Sequence, residues 1–496
     1  MDNQLTIQFK RARGASVPLL VIETQDPQNT VRTLANINGA AMMTWDIMRG
    51  LSPANQAAIV IVDDICDGQD PIIATSNPAE MLSKITALND REIVCMYNVQ
   101  RYLVGDNAAS VVQGIANLRN IFKGNGCTLV LLTYGAYLPQ ELTQDVIVIE
   151  DPLPEIEEIT TIVENIRQAA AIPELADADK IANMLVGLSA FSAEQVLAMS
   201  VYKNDKGIPD IERDTLKKRI KKEIEQTKGL TQNEDEENID DIKGCDVVLD
   251  FLKRMIPGYN AVLLIDELDK QFAGLAGDSS GVSQDQNGAF LSWTQDKNLK
   301  GCIFIGVNGA AKSASVKAIA RYAGIPCFTM DMGAMRDKYV GTTGQNQRAA
   351  QNKVYAISQG KLLIIATCNK IGVLPPELRR RFKRGTFFFD TLTAEAQAVL
   401  WPVYQVKYGL DVQAIDFVTT DWTGSEVRNC CEMASELGMT LKEASAYIVP
   451  TATSAREEIE VLRTQSSGKF LSASYPGPYH KKIATAEKGR AINLNV

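Results

Sequence analysis

The chain has 496 residues, of which 45% are hydrophobic and 22% charged, and a formal net charge of -9. That length predicts two or three domains, and the composition excludes a fibrous or wholly disordered protein. The acidic balance argues against non-specific nucleic-acid binding, and with no membrane-crossing apolar run and no signal-peptide pattern at Met1, the cytoplasm is the expected compartment.

The first half reads as alternating strands and helices. Val17 to Thr24 is a short apolar run followed by a polar, helix-like stretch. Ala58 to Val62 is β-rich and ends at Asp63-Asp64. Glu92 to Met96 and Leu129 to Thr133 are further candidate strands. Continuous apolar strands spaced by helical segments predict a buried parallel sheet covered on both faces, an α/β domain over 1–154. A helical region is expected over 155–230, ending in the basic amphipathic stretch Leu216 to Lys222, read as a solvated helix face. Thr231 to Asn238 is polar and acidic with little to bury, so a linker is placed at 231–240. A second α/β domain is expected over 241–391, a helical lid over 392–463, and an irregular tail over 464–496 that docks on the body.

The two α/β regions echo each other. Leu129 to Thr133 followed by Leu138-Pro139-Gln140-Glu141-Leu142 parallels Leu362 to Thr367 followed by Leu374-Pro375-Pro376-Glu377-Leu378. Each pair continues into a β-rich run, Val146 to Ile149 and Thr386 to Phe389. Duplication, with a degenerate N-terminal copy, and chance similarity between two α/β domains both account for this.

The chemistry concentrates in the second region. The nine cysteines are scattered without a C-x-x-C pair, and His480 is the only histidine. Zinc sites and Cys-His pairs are therefore not expected, and the thiols read as buried and reduced. Cys302 to Ile305 reads as a strand that runs into Gly306-Val307-Asn308-Gly309-Ala310-Ala311-Lys312-Ser313, with a helix from Ala314. Strand, glycine loop and helix are the context of a P-loop, whose backbone N–H groups and helix N-terminus wrap phosphates. Lys312 would contact the outer phosphates and Ser313 would supply a Mg²⁺ ligand. Ala311 departs from the pattern, which has glycine there, and its Cβ would crowd the phosphates or strain the backbone.

Ala261 to Ile265 is an apolar strand ending in Asp266-Glu267, a Walker B pattern. Asp266 would hold Mg²⁺ through its shell, and Glu267 would orient the attacking water. Asn369, at the tip of the strand Leu362 to Thr367, would sit by the γ-phosphate. Arg379-Arg380-Arg381 reads either as a solvated basic turn or, at Arg380 or Arg381, as an arginine finger reaching a neighbouring subunit's phosphate.

Together these motifs resemble the AAA family of ATPases, over most of the chain and most clearly from Asp241 to Leu437. Asp241-Ile242-Lys243-Gly244 resembles the family's motif beside the adenine, placing Asp241 and Gly244 there. Phe382 after the arginines resembles its arginine-finger segment. Lys338-Tyr339-Val340-Gly341 resembles its first pore loop, which implies a protein substrate gripped by Tyr339 and Val340. Gly424-Ser425-Glu426-Val427-Arg428 resembles the start of the lid helix, where Gly424, Ser425 and Arg428 would contact nucleotide. The N-terminal half is similar to that of an uncharacterised AAA group known from cyanobacteria and chloroplast genomes. The resemblance implies Mg-ATP as cofactor and a homo-oligomer, a hexameric ring. The motif order departs from the family, because Asp266-Glu267 precedes Lys312. A rewired sheet fits this order: the Walker B strand and its helix move ahead of the P-loop strand while each strand keeps its place. The alternative is that one motif is incidental. Three functions remain in view: a ring ATPase that remodels protein, a nucleotide-binding scaffold with weak or no hydrolysis, and a nucleic-acid motor, disfavoured by the charge.

Overall fold

The computed structural model describes residues 4–35, 37, 39–105, 108–134, 138–173, 175–233, 238–273, 282–335, 342–370, 372, 374 and 376–481. Two compact units divide the chain, Met1–Glu223 and Ile224–Val496. Among the described residues no helix is long and apolar enough to cross a membrane.

The first unit holds the strands β1 (Leu19–Glu23), β2 (Met42–Asp46), β3 (Gly50–Pro53), β4 (Ile93–Met96), β5 (Thr128–Thr133) and β6 (Ile147–Glu150). They form one sheet in the order β3-β2-β4-β5-β1-β6, parallel except for the β2–β3 pair. Side chains alternate across it. Leu19, Val21, Trp45, Val94, Met96, Leu129 and Leu131 share one core with Leu82, Ile115 and Phe122 of the helices Pro78–Lys84 and Ala108–Asn125. Leu20, Ile22, Cys95 and Val130 face the other way, against Leu5 and Phe9 of the helix Gln4–Gly14 and Val31 of Pro27–Ala35. Burial on both faces is why these strands read as unbroken apolar runs.

Ala58 to Val62 is not a strand. Ala58 ends a short helical turn and Ile59–Ile65 is an α-helix, so Asp63-Asp64 lie within a helix rather than at a strand tip. Only Val62 of that helix is buried, and Val60 is 68% exposed. A short β-branched run has no period long enough to separate strand from helix, and the sheet's strands are supplied elsewhere. The region 155–230 is mainly helical, with Ile156–Ala169, Ala178–Leu185, Ala190–Ala198 and Arg213–Glu225, but it also contains a hairpin of β7 (Val201–Lys203) and β8 (Pro209–Ile211). Within Arg213–Glu225, Leu216 and Ile220 are buried one turn apart while Lys217, Lys218 and Lys222 are exposed.

The second unit holds β9 (Leu230–Gln232), β10 (Ala261–Ile265), β11 (Lys300–Gly306), β12 (Cys327–Met330), β13 (Leu362–Cys368), β14 (Thr386–Phe389) and β15 (Leu471–Ser472). Their order is β15-β14-β11-β13-β10-β12-β9, with only β9 antiparallel. Two expectations change here. The segment expected to start a linker at 231 instead lies in the edge strand β9, where Thr231 pairs with Thr329. The tail expected to be irregular adds β15 beside β14, and the Ala473 N–H donates to the Phe388 carbonyl at 3.0 Å. Two-residue and three-residue edge strands carry too little pattern to be read from sequence. The helices Asp246–Met255 and Lys312–Ala323 cover one face through Val248, Leu252, Val316 and Ile319, which pack on Val262, Leu264, Phe304 and Ile365. Beyond β14, the helices Ala394–Lys407, Gly424–Leu437 and Leu441–Ser445 close their own core around Trp401, Trp422, Val427 and Cys431.

Slot for slot, β14-β11-β13-β10-β12 repeats β6-β1-β5-β4-β2. The sequence echo falls on matching slots, β5 with β13 and β6 with β14. The difference is in connection. β10 takes the slot of β4 but precedes β11 in the chain, whereas β4 follows β1. Parallel strands joined by helical crossovers tolerate this, since a strand's place is set by its pairing and burial rather than by its turn.

Candidate functional site

β11 ends in a loop that turns into the helix Lys312–Ala323. The loop needs glycine at two points. A Cβ on Gly306 would lie 2.0 Å from the Phe389 carbonyl oxygen, and one on Gly309, at φ +79°, would lie 2.1 Å from Ser425 Oγ. Ala311 takes the left-handed conformation, φ +62°, immediately before the helix. Its substitution for glycine therefore strains the backbone, one of the consequences expected from the sequence.

Lys312 is buried, 8% exposed, and its Nζ donates to the carbonyls of Gly306 at 2.9 Å and Val307 at 2.8 Å. Burial pushes its ammonium down to about 8, against the opposing pull of Asp266. Ser313 Oγ donates to Asp266 Oδ1 at 2.7 Å, across 47 residues of chain. The strands β10 and β11 are separated in the sheet by β13. β13 supplies the link, because the Thr367 hydroxyl also donates to Asp266 Oδ1 and accepts the Glu267 N–H at 2.9 Å. Glu267 sits at φ +50°, a second left-handed non-glycine residue. Its carboxylate pairs with Lys270 Nζ at 2.6 Å. Both groups are solvent-exposed, so that pair is screened and costs little to break. The Asn369 N–H donates to Asp269 Oδ1 at 3.0 Å, and Asn369 Oδ1 is buried without a hydrogen-bond partner among the described residues.

The helix Gly424–Leu437 begins against the loop. A capping box of Thr423 and Glu426 fixes its start, and Ser425 donates to the Gly309 carbonyl through N–H at 3.2 Å and Oγ at 3.3 Å. Arg428 Nε donates to Tyr408 Oη at 3.2 Å, and Asp241 pairs with Lys407 at 3.0 Å.

Many of these groups line one cavity of about 310 Å³. It brings together Asp241, Asp266, Glu267, Asn308, Gly309, Ala311, Lys312, Ser313, Ala314, Asn369, Gly424, Ser425 and Arg428. Gly306 and Ala310 are not part of its lining, although the Gly306 carbonyl holds Lys312. Gly244 is not there either. It turns at φ +83° beside Leu392, and its carbonyl accepts Ser474 Oγ at 2.5 Å. Arg380 and Arg381 also lie outside the cavity, in the helix Pro376–Arg381 that leads to the start of β14, the end of the sheet away from the glycine loop. Tyr339 and Val340 lie outside the described residues. Sequence reading gave no role to Thr367, Asp269 or Tyr404, which lines the cavity. The signal for Thr367 was its place two residues before Asn369, hence on the same side of the strand.

The donor set fits Mg-nucleotide. Ser313 and Asp266 offer oxygen ligands of the kind a hard cation takes, close enough to share one ion or its water shell. A lysine, a helix N-terminus and loop N–H groups suit phosphates, and the orphaned Asn369 Oδ1 is an acceptor awaiting a donor such as water. All nine cysteines are buried and none forms a disulfide, and burial pushes the Cys302 and Cys368 thiols up to about 12, so neither is a ready nucleophile.

Comparison with known proteins agrees. Residues 302–358 match the family model of the ATPase family associated with various cellular activities (AAA). Residues 5–150 match that of the N-terminal domain of SpoVK-like AAA ATPases. The chain is similar to uncharacterised AAA domain-containing proteins named ycf46. It is 21% identical to that of Guillardia theta over 94% of this chain and 96% of the relative. Identity is 21% with that of Gracilaria tenuistipitata var. liui, over 71% and 76%, and 19% with that of Pyropia yezoensis, over 92% and 96%. Residues 302–358 are thus similar to the AAA family, and residues 5–150 to the N-terminal domain of SpoVK-like AAA ATPases.

Proposed function

We propose that the chain binds Mg-ATP in this cavity and hydrolyses it, as a cytoplasmic ring-forming ATPase that remodels a protein partner. The observation that carries the reading is the hydrogen bond from Ser313 to Asp266, which joins motifs that the chain order separates. Lys312 would leave the carbonyls of Gly306 and Val307 to hold the outer phosphates. Bound Mg²⁺ would neutralise phosphate charge and align the phosphoryl group. Glu267 would release Lys270 and accept a proton from water, with Asn369 Oδ1 fixing that water's position. Ser425 on the Gly309 carbonyl would couple the lid to the state of the loop. Arg380 and Arg381, away from their own chain's cavity, are suited to reach a neighbouring copy's site, the geometry of an arginine finger supplied in trans.

A second reading, a nucleotide-binding scaffold with weak hydrolysis, is favoured by one observation: Ala311 holds a left-handed backbone at the phosphate loop. Phosphate release by the purified full chain and by Glu267→Gln separates the two. Release lost in Glu267→Gln with nucleotide binding retained supports hydrolysis. Equal, negligible release from both forms leaves the scaffold.

A further inference from the structure

A second concavity lies at the opposite end of the same sheet. The starts of β11 and β13, the turn before β10 and the end of the helix Asp246–Met255 enclose about 930 Å³. Six cations line it: Arg254, Lys297, Lys300, Lys361, Lys383 and Arg384. Among the described residues no carboxylate does. The ion pairs among the described residues include none of the six, and Lys297 rests on the Tyr355 ring at 5.0 Å from its centroid. In a chain of net charge -9 this is a concentrated positive field that no ion pair among the described residues quenches.

We propose that this cavity binds a compact small molecule carrying several phosphate groups. Size and charge density select that class. A cavity of this volume is on the order of 12 Å across, within the range of small-molecule sites. An extended acidic peptide presents side chains on one face only every ~7 Å, so it would bring about two carboxylates to six cations. A long nucleic acid meets the same shortfall and is also repelled by the acidic remainder of the chain. A molecule with phosphates clustered on one small scaffold matches the charge in the space available. Lysine predominates, and it serves phosphate as a mobile point charge, while Arg254 and Arg384 add planar donors. β11 separates this cavity from the glycine loop by roughly 20 Å, so the site is independent of the nucleotide reading.

The test is calorimetric titration of the full chain with phytate at fixed ionic strength, in wild type, Lys300→Glu/Lys361→Glu and Lys312→Ala. Both reversed lysines are exposed, and an unchanged unfolding temperature establishes that the variant is folded. The expected result is one saturable site, weakened about tenfold or more by the double reversal and unchanged by Lys312→Ala. Vesicles carrying phosphatidylinositol trisphosphate form a parallel arm. Tighter binding there than to phytate, lost in the same variant, assigns the phosphates to a lipid headgroup. No saturable binding, equal binding by the reversed variant, or tighter binding of a glutamate decapeptide or a single-stranded decanucleotide overturns the proposal.

Discussion

Ala311 is the residue where sequence and backbone conflict most openly. A left-handed alanine costs roughly 1 to 2 kcal/mol, which a glycine would not incur, although glycine loses more freedom on folding. Ala311→Gly is expected to stabilise the second unit by about 0.5 to 1 kcal/mol, read as a higher urea midpoint of its transition. Lys312 makes a different prediction. Its folded value of about 8 lies below the ordinary lysine value of 10.5, so the folded protein holds the neutral amine over the interval between them. Folding therefore disfavours this ammonium, and stability from this group increases as pH rises through that window. Bound phosphates would restore the charge. Binding of Mg-ATP at pH 9 should take up close to one proton, seen as a buffer-dependent binding enthalpy. Lys312, Ser313 and Asp266 were legible because each belongs to a short local pattern. Thr367 was not, because its role is a hydroxyl between two strand tips 100 residues apart.

At the scale of elements, β13 is the brace of the site. Thr367 holds the Asp266 carboxylate and the Glu267 amide together, and Asn369 follows on the same edge. Thr367→Val keeps the shape but strands the Glu267 N–H and removes a donor from Asp266. It should cost about 1 to 3 kcal/mol of stability and weaken Mg-dependent nucleotide affinity, measured by denaturation and by titration with and without EDTA. The long apolar strands β5, β10 and β13 could be read from sequence because burial on both faces leaves unbroken runs. The edge elements could not. β9 and β15 owe their conformation to the partner strand they meet, and the helix Ile59–Ile65 exposes Ile59 and Val60, two of the branched side chains that suggested a strand.

At the scale of the whole chain, strand position and strand order have come apart. Both units use the same slots, and in the second the strand of Asp266 comes first. The sequence carried the clue in its reversed motifs, but not the answer, because pairing between distant strands is written in no local pattern. In the first unit, Tyr97 and Asn98 follow β4 as Asp266 and Glu267 follow β10, and Asn98 shares the left-handed backbone of Glu267. The turn thus persists without its carboxylates, which fits a degenerate copy. If Arg381 acts in trans, mixing Arg381→Ala with wild-type chains should lower phosphate release below the average of the two pure forms, and ATP should raise the native mass. The shared site itself is tested most directly by equilibrium titration of a fluorescent ATP analogue, with Mg²⁺ and with EDTA, in wild type, Ser313→Ala, Asp266→Asn and the double variant. Mg²⁺ should tighten binding about tenfold in wild type, and that increment should vanish in either single variant with no further loss in the double. A full Mg²⁺ increment in Asp266→Asn would mean that the upstream carboxylate and the P-loop serine do not share an ion.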